Sequence, residues 1–401
     1  MNPGLEKLQD YPFERLRNLK SKIPLKEHSS IIDLSIGEPK TKLPKIIQNA
    51  LVKSSEQISF YPSTRGTNAL RQSIADWLCR RFQIPEDKLS PDENILPVNG
   101  TREALFGISQ ALADTKNRKY IAIPNPFYQI YEGAALLAGA QPFFMPCPES
   151  RDFSPHFESI EPSVWRETSL VYVCSPNNPS GSILDPTDYA YLLKMADIYN
   201  FIVVADECYS EIYQDESNPP LGLLEWCDRS GRNEYDKCLV VNSLSKRSGV
   251  PGLRSGFVAG DKKILERYFR YRTYQGGAMS LQVQAASVAA WGDEGHVIKN
   301  RRHYRKNMSL IKEIFNDKKI RTPEAGFFLW LELPMNDIDA TSLLLRRGGV
   351  LVLPGQYLAR ETNGINPGSN YIRVALVSNI EVCRRALMTI KEIFFSGEIQ
   401  S

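Results

Sequence analysis

Apolar and polar positions along this chain follow two rhythms. Between about residues 66 and 290, segments with an apolar residue every three or four positions take turns with short, continuously apolar runs. "TNALRQSIADWLCRRFQ" sets Leu70, Ile74 and Leu78 on one face, the spacing of an amphipathic helix. "TREALFGISQALAD" repeats the pattern behind Thr101, which is expected to cap it. "PTDYAYLLKMADIYN" is another helical stretch. The apolar runs are "KYIAIP", "LVYVCSP", "FIVVADE", "CLVVNSL" and "SGFVAG". Strands that are apolar on both faces must be covered on both. The alternation therefore predicts an α/β fold with a mostly parallel central sheet flanked by helices.

From about residue 295 the character changes. A long helical pattern, "HVIKNRRHYRKNMSLIKEIF", leads to strand-like "GFFLWLELP", "GVLVLPG" and "NYIRVALV", then to a closing helix, "IEVCRRALMTIKEIFF". This predicts a smaller α+β domain that the N-terminal residues join. The expected division is 41–294 for a large domain and 1–40 with 295–401 for a small one. No internal repeat or low-complexity tract interrupts the 401 residues.

Charge and composition narrow the function. The formal net charge is +3, with acidic and basic residues interspersed, which argues against nucleic acid or a membrane surface as the main partner. Seven cysteines, odd in number and without a C-x-x-C pair, and four histidines without metal-ligand spacing give no support for a metal site. The N-terminal "MNPGLEKLQDYPFERLRNLK" lacks the apolar core of a signal peptide, and no apolar run is long enough to span a bilayer. The expectation is a soluble cytoplasmic protein with free thiols.

In sheets of this kind ligands bind beyond the carboxyl ends of the strands, so polar residues just after the apolar runs are the candidates. "SPNNPSG" follows one strand and reads equally as a terminating turn. Asp206 ends another, where an aspartate also serves as a helix cap, and Tyr209 comes three residues later. Ser243, Ser245, Lys246 and Arg254 follow a third. A guanidinium and hydroxyls suit a phosphate, and a desolvated lysine amine suits covalent chemistry, while an exposed polar turn remains the alternative. Gly100 and Thr101 open a helix whose first N–H groups would also suit a phosphate.

Taken together and in this order, these motifs resemble the fold-type I pyridoxal phosphate enzymes, and within them the class I and II aminotransferases, from "LSIGEPK" to "YIRVALV". The resemblance implies pyridoxal 5'-phosphate as cofactor and assigns roles to the matching positions. Lys246 matches the covalent anchor and proton carrier, and Asp206 the carboxylate that keeps the pyridine nitrogen protonated. Tyr209 and Asn178 match groups that bond the ring's phenolic oxygen, and the proline after Asn178 occupies a position that is often cis. Tyr128 matches the aromatic stacked on the ring. The phosphate would lie on the backbone of Gly100, Thr101 and Arg102, with Ser243, Ser245 and Arg254. Arg373 matches the arginine that grips the substrate α-carboxylate, and Gly37 a backbone contact beside it. Tyr61 matches a tyrosine that reaches the phosphate from a neighbouring subunit, which implies a homodimer with a shared active site.

The stretches around Lys246, at the N-terminus and in "LVLPGQYLARE" further resemble N-succinyl-LL-diaminopimelate aminotransferases. That implies exchange of an amino group between glutamate and N-succinyl-2-amino-6-oxopimelate in lysine biosynthesis. Gly249 departs from that pattern, where asparagine is expected. Arg65 and Arg247 are candidates for the substrate's distal carboxylates, each equally readable as an ordinary surface residue. The competing readings are an aspartate, aromatic or kynurenine aminotransferase, a C–S β-lyase, and a non-catalytic cofactor-binding domain of a transcription regulator. Too few residues precede "IIDLSIGEPK" for a helix-turn-helix module, which disfavours the last.

Overall fold

The computed structural model of the protein describes residues 1–24, 30–316 and 320–396. Its strands in chain order are β1 (Ile32–Asp33), β2 (Ile95–Val98), β3 (Tyr120–Asn125), β4 (Gln141–Pro146), β5 (Thr168–Cys174), β6 (Ile202–Asp206), β7 (Cys238–Ser243), β8 (Gly256–Gly260), β9 (Phe328–Glu332), β10 (Val350–Leu351), β11 (Leu353–Pro354) and β12 (Tyr371–Ala375). Seven of them form the large sheet, in the order β2-β8-β7-β6-β5-β3-β4. The pairs from β7 through β4 are parallel, and β8 runs antiparallel to both its neighbours. The mostly parallel α/β sheet expected from the apolar runs is therefore present.

Every residue of β5, β7 and β8 is buried, which is why those runs show no alternation. The two sheet faces nonetheless have separate cores. Val171 and Val173 of β5 face a cluster with Trp77, Trp165, Trp291 and Tyr189, whereas Leu170 and Tyr172 face one with Ile108, Phe127, Tyr131 and Tyr268. Helix Asn68–Phe82 carries Leu70, Ile74 and Leu78 into the first of these, capped by Thr67, whose side chain accepts from the Leu70 N–H. The expected cap at Thr101 is corrected: Gly100 caps helix Thr101–Leu112, with φ at +90°, a conformation glycine adopts without the strain a side chain would bring.

The remaining strands form a three-stranded antiparallel sheet, β11-β12-β9, and a short parallel pair, β1 with β10. Helices Gly295–Ile314 and Ile380–Phe395 pack on them around Leu329, Leu331, Ile372, Val374 and Leu387. Ile32 and Leu34 belong to that same core, so the N-terminal strand is stitched to the C-terminal part of the chain. No helix among the described residues is long and apolar enough to cross a membrane.

Candidate active site

The carboxyl ends of β5, β6 and β7 lie side by side in the middle of the sheet, Cys174 paired with Asp206 and Asp206 with Val241. Above them opens a cavity of about 550 Å³. Of the sequence-predicted residues, Gly37, Thr101, Arg102, Tyr128, Asn178, Asp206, Tyr209, Ser243, Ser245, Lys246, Arg254 and Arg373 all line it. Residues up to 336 positions apart in sequence converge there because β12 of the small sheet and the β1 loop fold back over the large one.

Lys246 sits on a one-turn helix, Leu244–Arg247, that starts where β7 ends. Its amine donates to the Gly37 carbonyl and lies 5.4 Å from the Phe327 ring centre and 6.0 Å from that of Tyr209. Burial pulls this amine down to about 8, and the Arg373 cation acts in the same direction. Helix Gly295–Ile314 braces the turn from behind. Asn300 Nδ2 donates to the carbonyls of Lys246 and Arg247 at 2.9 and 3.1 Å. His296 Nε2 lies 2.8 Å from Ser248 Oγ, and its Nδ1 lies 2.5 Å from Asp293. The sequence carried no signal for this brace, since a histidine within a charged helix has nothing to distinguish it.

Asp206 is buried, with Tyr131 Oη donating to Oδ2 at 2.8 Å and the Cys208 N–H to Oδ1 at 3.2 Å. Tyr131, itself stacked on Tyr172, was not singled out in the sequence. Burial pushes the Asp206 carboxyl up, and these donors pull it back. No cation forms an ion pair with it among the described residues. A buried carboxylate without a cation is costly, so the position calls for a cationic ligand group.

Arg373 has the opposite need. It reaches in from β12, donating to Asn178 Oδ1 at 2.9 Å and to the Ser35 carbonyl at 2.7 Å, over the Phe328 ring. Its buried Nε finds no acceptor among the described residues, and burial pulls the guanidinium down to about 10. Gly37 has no room for a side chain, because a Cβ there would strike the Phe328 ring. The peptide bond between Asn178 and Pro179 is cis.

At the start of helix Thr101–Leu112 the N–H groups of Thr101 and Arg102 find no acceptor among the described residues. Arg254 lies across the Gly100 backbone, donating to the carbonyls of Pro251 and Asn99 at 2.9 and 3.2 Å. A Cβ on Gly100 would strike the Arg254 guanidinium, so the glycine is what lets it close the cup. Ser243 and Ser245 complete a ring of donors suited to an anion. Tyr209 packs edge-on to Phe327 and Phe328.

Two sequence readings change. Arg247, next to the reactive lysine, is fully buried between Trp77 and Trp291 and paired with Glu294 at 2.5 Å, so it is not available to a substrate. Arg65 does not line this cavity. It pairs with Glu266 at 2.8 Å and lies over Phe269. Tyr61, expected to act from a neighbouring subunit, is fully exposed and lies outside the cavity of its own chain.

A cavity with an uncompensated carboxylate, a depressed amine, a donor cup and a buried arginine fits pyridoxal phosphate group by group. A family model of class I and II aminotransferases matches residues 29–390, and the chain belongs to that family of pyridoxal phosphate enzymes. Among solved structures it is similar to an aminotransferase from Neisseria meningitidis, with 45% identity, a TM-score of 0.94 and 98% and 100% of the two chains covered. It is also similar to aminotransferase AspB from Helicobacter pylori, with 38% identity, a TM-score of 0.88 and 96% and 98% covered. Among curated relatives, LL-diaminopimelate aminotransferase from Syntrophobacter fumaroxidans is 29% identical over 98% of both chains.

Proposed function

We propose that this protein transaminates a diaminopimelate of lysine biosynthesis against glutamate and 2-oxoglutarate, in the cytoplasm and as a homodimer. The substrate we assign is N-succinyl-LL-2,6-diaminopimelate, with N-succinyl-2-amino-6-oxopimelate as its oxo form. The observation that carries the reaction class is the meeting of Lys246, the uncompensated Asp206 carboxylate and Arg373 in one cavity. The relatives named LL-diaminopimelate aminotransferase support the diaminopimelate skeleton, and they also favour a second reading in which the substrate carries no succinyl group.

Pyridoxal phosphate, when bound, supplies an electron sink for negative charge at the substrate Cα. The protein's own groups then have these tasks. Lys246 Nζ would hold the cofactor covalently and would serve as the base that takes the substrate Cα proton. Its depressed affinity for a proton leaves it competent near neutrality. Asp206, held by Tyr131 and Cys208, keeps a proton on the pyridine nitrogen. Tyr209 and Asn178 would hold the phenolic oxygen, and Tyr128 would face the ring. The backbone of Gly100, Thr101 and Arg102, the hydroxyls of Ser243 and Ser245, and Arg254 hold the phosphate, joined by Tyr61 of the partner subunit. Full exposure of the Tyr61 ring beside exposed Ile58 and Phe60 supports that shared site, because such an apolar edge is poorly suited to water. Arg373 grips the α-carboxylate as a fork, prepositioned by Asn178 and Ser35, with the Gly37 backbone beside it.

The division into residues 41–294 and residues 1–40 with 295–401 goes with this reading. It puts Lys246, Asp206 and the phosphate cup on the large domain, and Arg373 and Gly37 on or beside the small one. The experiment is single-turnover conversion of the bound cofactor to its amine form. The donors are N-succinyl-LL-diaminopimelate, LL-diaminopimelate, glutamate, aspartate, phenylalanine and kynurenine. The succinylated compound and glutamate should be the fastest. Faster conversion by free LL-diaminopimelate would replace the substrate with the second reading, and aspartate or an aromatic donor ahead of both would end the lysine-pathway assignment.

A further inference from the structure

Lys246 and Arg373 come from different sheets, yet the backbone beside each is tied to one and the same helix, Gly295–Ile314. Asn300 Nδ2 donates to the carbonyls of Lys246 and Arg247 at 2.9 and 3.1 Å. Asn307 Nδ2 donates to the carbonyls of Leu376 and Ser378 at 2.9 and 2.8 Å, just past the end of β12, the strand that carries Arg373. None of these carbonyls has a backbone donor among the described residues, because the one-turn helix stops at Arg247 and β12 stops at Ala375. The two asparagines are seven positions apart, two helical turns less about 20°, so they leave one face of the helix about 10 Å apart.

Asparagine is a poor choice for a helix interior, where its side chain competes with the backbone. Both side chains are buried, and neither Oδ1 finds a donor among the described residues. An unpaired buried amide oxygen is destabilising. A leucine at either place would avoid that penalty and would extend the apolar packing of Met308, Leu310 and Ile311 on the same helix. What the amides do instead is clamp two carbonyls each. Between the clamps lies continuous α-helix, whose backbone hydrogen bonds resist a change of length.

We propose that Asn300 and Asn307 make this helix a spacer that sets the separation of Lys246 from Arg373, and so the register between the lysine-held cofactor and the substrate α-carboxylate. Both asparagines are positioning residues and touch neither ligand. The inference rests on the proposed roles of Lys246 and Arg373 and adds what holds the two in register. Register matters because a carboxylate gripped off its place draws the attached amine away from the position in which it reacts. A misplacement near 1 Å can cost about 100-fold in rate.

The test uses the cofactor-loaded protein and two reagents, aminooxyacetate, which carries a carboxylate, and methoxyamine, which does not. Both react with the bound cofactor and are followed by its absorbance. The ratio of their rate constants reads the register whatever amino acid is the natural substrate. Arg373→Ala should lower the ratio most. Asn300→Ala and Asn307→Ala should each lower it about 10-fold, with the methoxyamine rate within about twofold of the parent. Asn→Ser at the same position replaces an alanine variant that does not fold, with the same expectation. Met308→Ala removes buried packing from this helix without touching either pair of carbonyls. It should lower the melting temperature and leave the ratio unchanged. An unchanged ratio in both asparagine variants, or an equal fall in Met308→Ala, would overturn the spacer alone. An unchanged ratio in Arg373→Ala would overturn the assignment of Arg373 and the spacer with it. Hydrogen exchange on the cofactor-free protein gives a readout apart from reactivity. Asn300→Ala should speed exchange in residues 244–250, and Asn307→Ala in residues 371–378, by about 10-fold. No change in either segment would mean that the amides hold nothing in place, and the spacer would fall.

Discussion

Lys246 and Arg247 are neighbours in sequence, both cations, and the fold sends them to opposite environments. The one-turn helix after β7 points Lys246 into the cavity, where its amine meets a backbone carbonyl and no carboxylate. Arg247 points the other way, into a slot between Trp77 and Trp291, where its Nη1 donates to the Ala290 carbonyl and its Nη2 pairs with Glu294. The cavity side keeps charges uncompensated and therefore reactive toward a ligand. The far side compensates its charge and gains packing. The same contrast extends outward. Asp206, Arg254 and Arg373 lack ionic partners among the described residues, whereas Arg81 and Arg301 both pair with Glu211.

The strongest way to break this contrast is to remove the cavity amine. Lys246→Ala should lose transamination by about 10⁴-fold or more while its thermal unfolding stays close to that of the parent. A loss of folding with little loss of rate would reverse the two roles. Asp206→Ala should lower kcat by roughly 10²- to 10³-fold, since it removes the fixed charge opposite the pyridine nitrogen. Without cofactor the same position should behave oppositely. Its carboxyl is raised in the folded state, so folding favours the protonated form, and stability is lost as pH rises through the folded pKa. Asp206→Asn should therefore unfold at no lower temperature than the cofactor-free parent at neutral pH, and a clear drop in melting temperature would contradict the absence of a buried ion pair.

On the far side, Arg247→Met should cost about 1–3 kcal/mol in urea unfolding, because it removes two ring contacts and an ion pair whose Glu294 end is partly exposed. Its effect should fall on stability rather than on the rate of the folded fraction. For the amine itself, the rate at which cofactor recombines with the cofactor-free protein should rise with pH around about 8. An ordinary lysine would place that rise two or more units higher. The smallest expected effect is at Gly249. Its φ of +67° and the approach of Thr41 Oγ1 should make Gly249→Ala destabilising by about 1 kcal/mol, and Gly249→Asn less so, since asparagine tolerates the left-handed region.

Much of this was legible in the chain. The apolar runs and helical stripes specify the strands and helices because burial on both faces leaves no alternative pattern. Asp206, Ser243 and Lys246 stand at strand ends because that is where a parallel sheet opens to a ligand. Twelve of the residues matched to the family line one cavity. Less was legible wherever a side chain's direction decides its role. Arg247 and Arg65 read as equivalent to other basic residues, and only packing showed one between tryptophans and the other over Phe269. Tyr131 carried no sequence signal, because a tyrosine on an amphipathic helix is ordinary. Thr101 read as a helix cap, and the positive φ of Gly100 moved the cap by one position.

By itself the sequence determined the kind of fold, the family and the set of groups available for chemistry, because these follow from local pattern and residue type. The tertiary structure decided which charges would go unanswered. Whether Asp206 has a cation, whether Arg373 has a carboxylate, and whether a lysine is desolvated depend on contacts between segments hundreds of residues apart, and burial turns those contacts into proton affinities that no local pattern encodes.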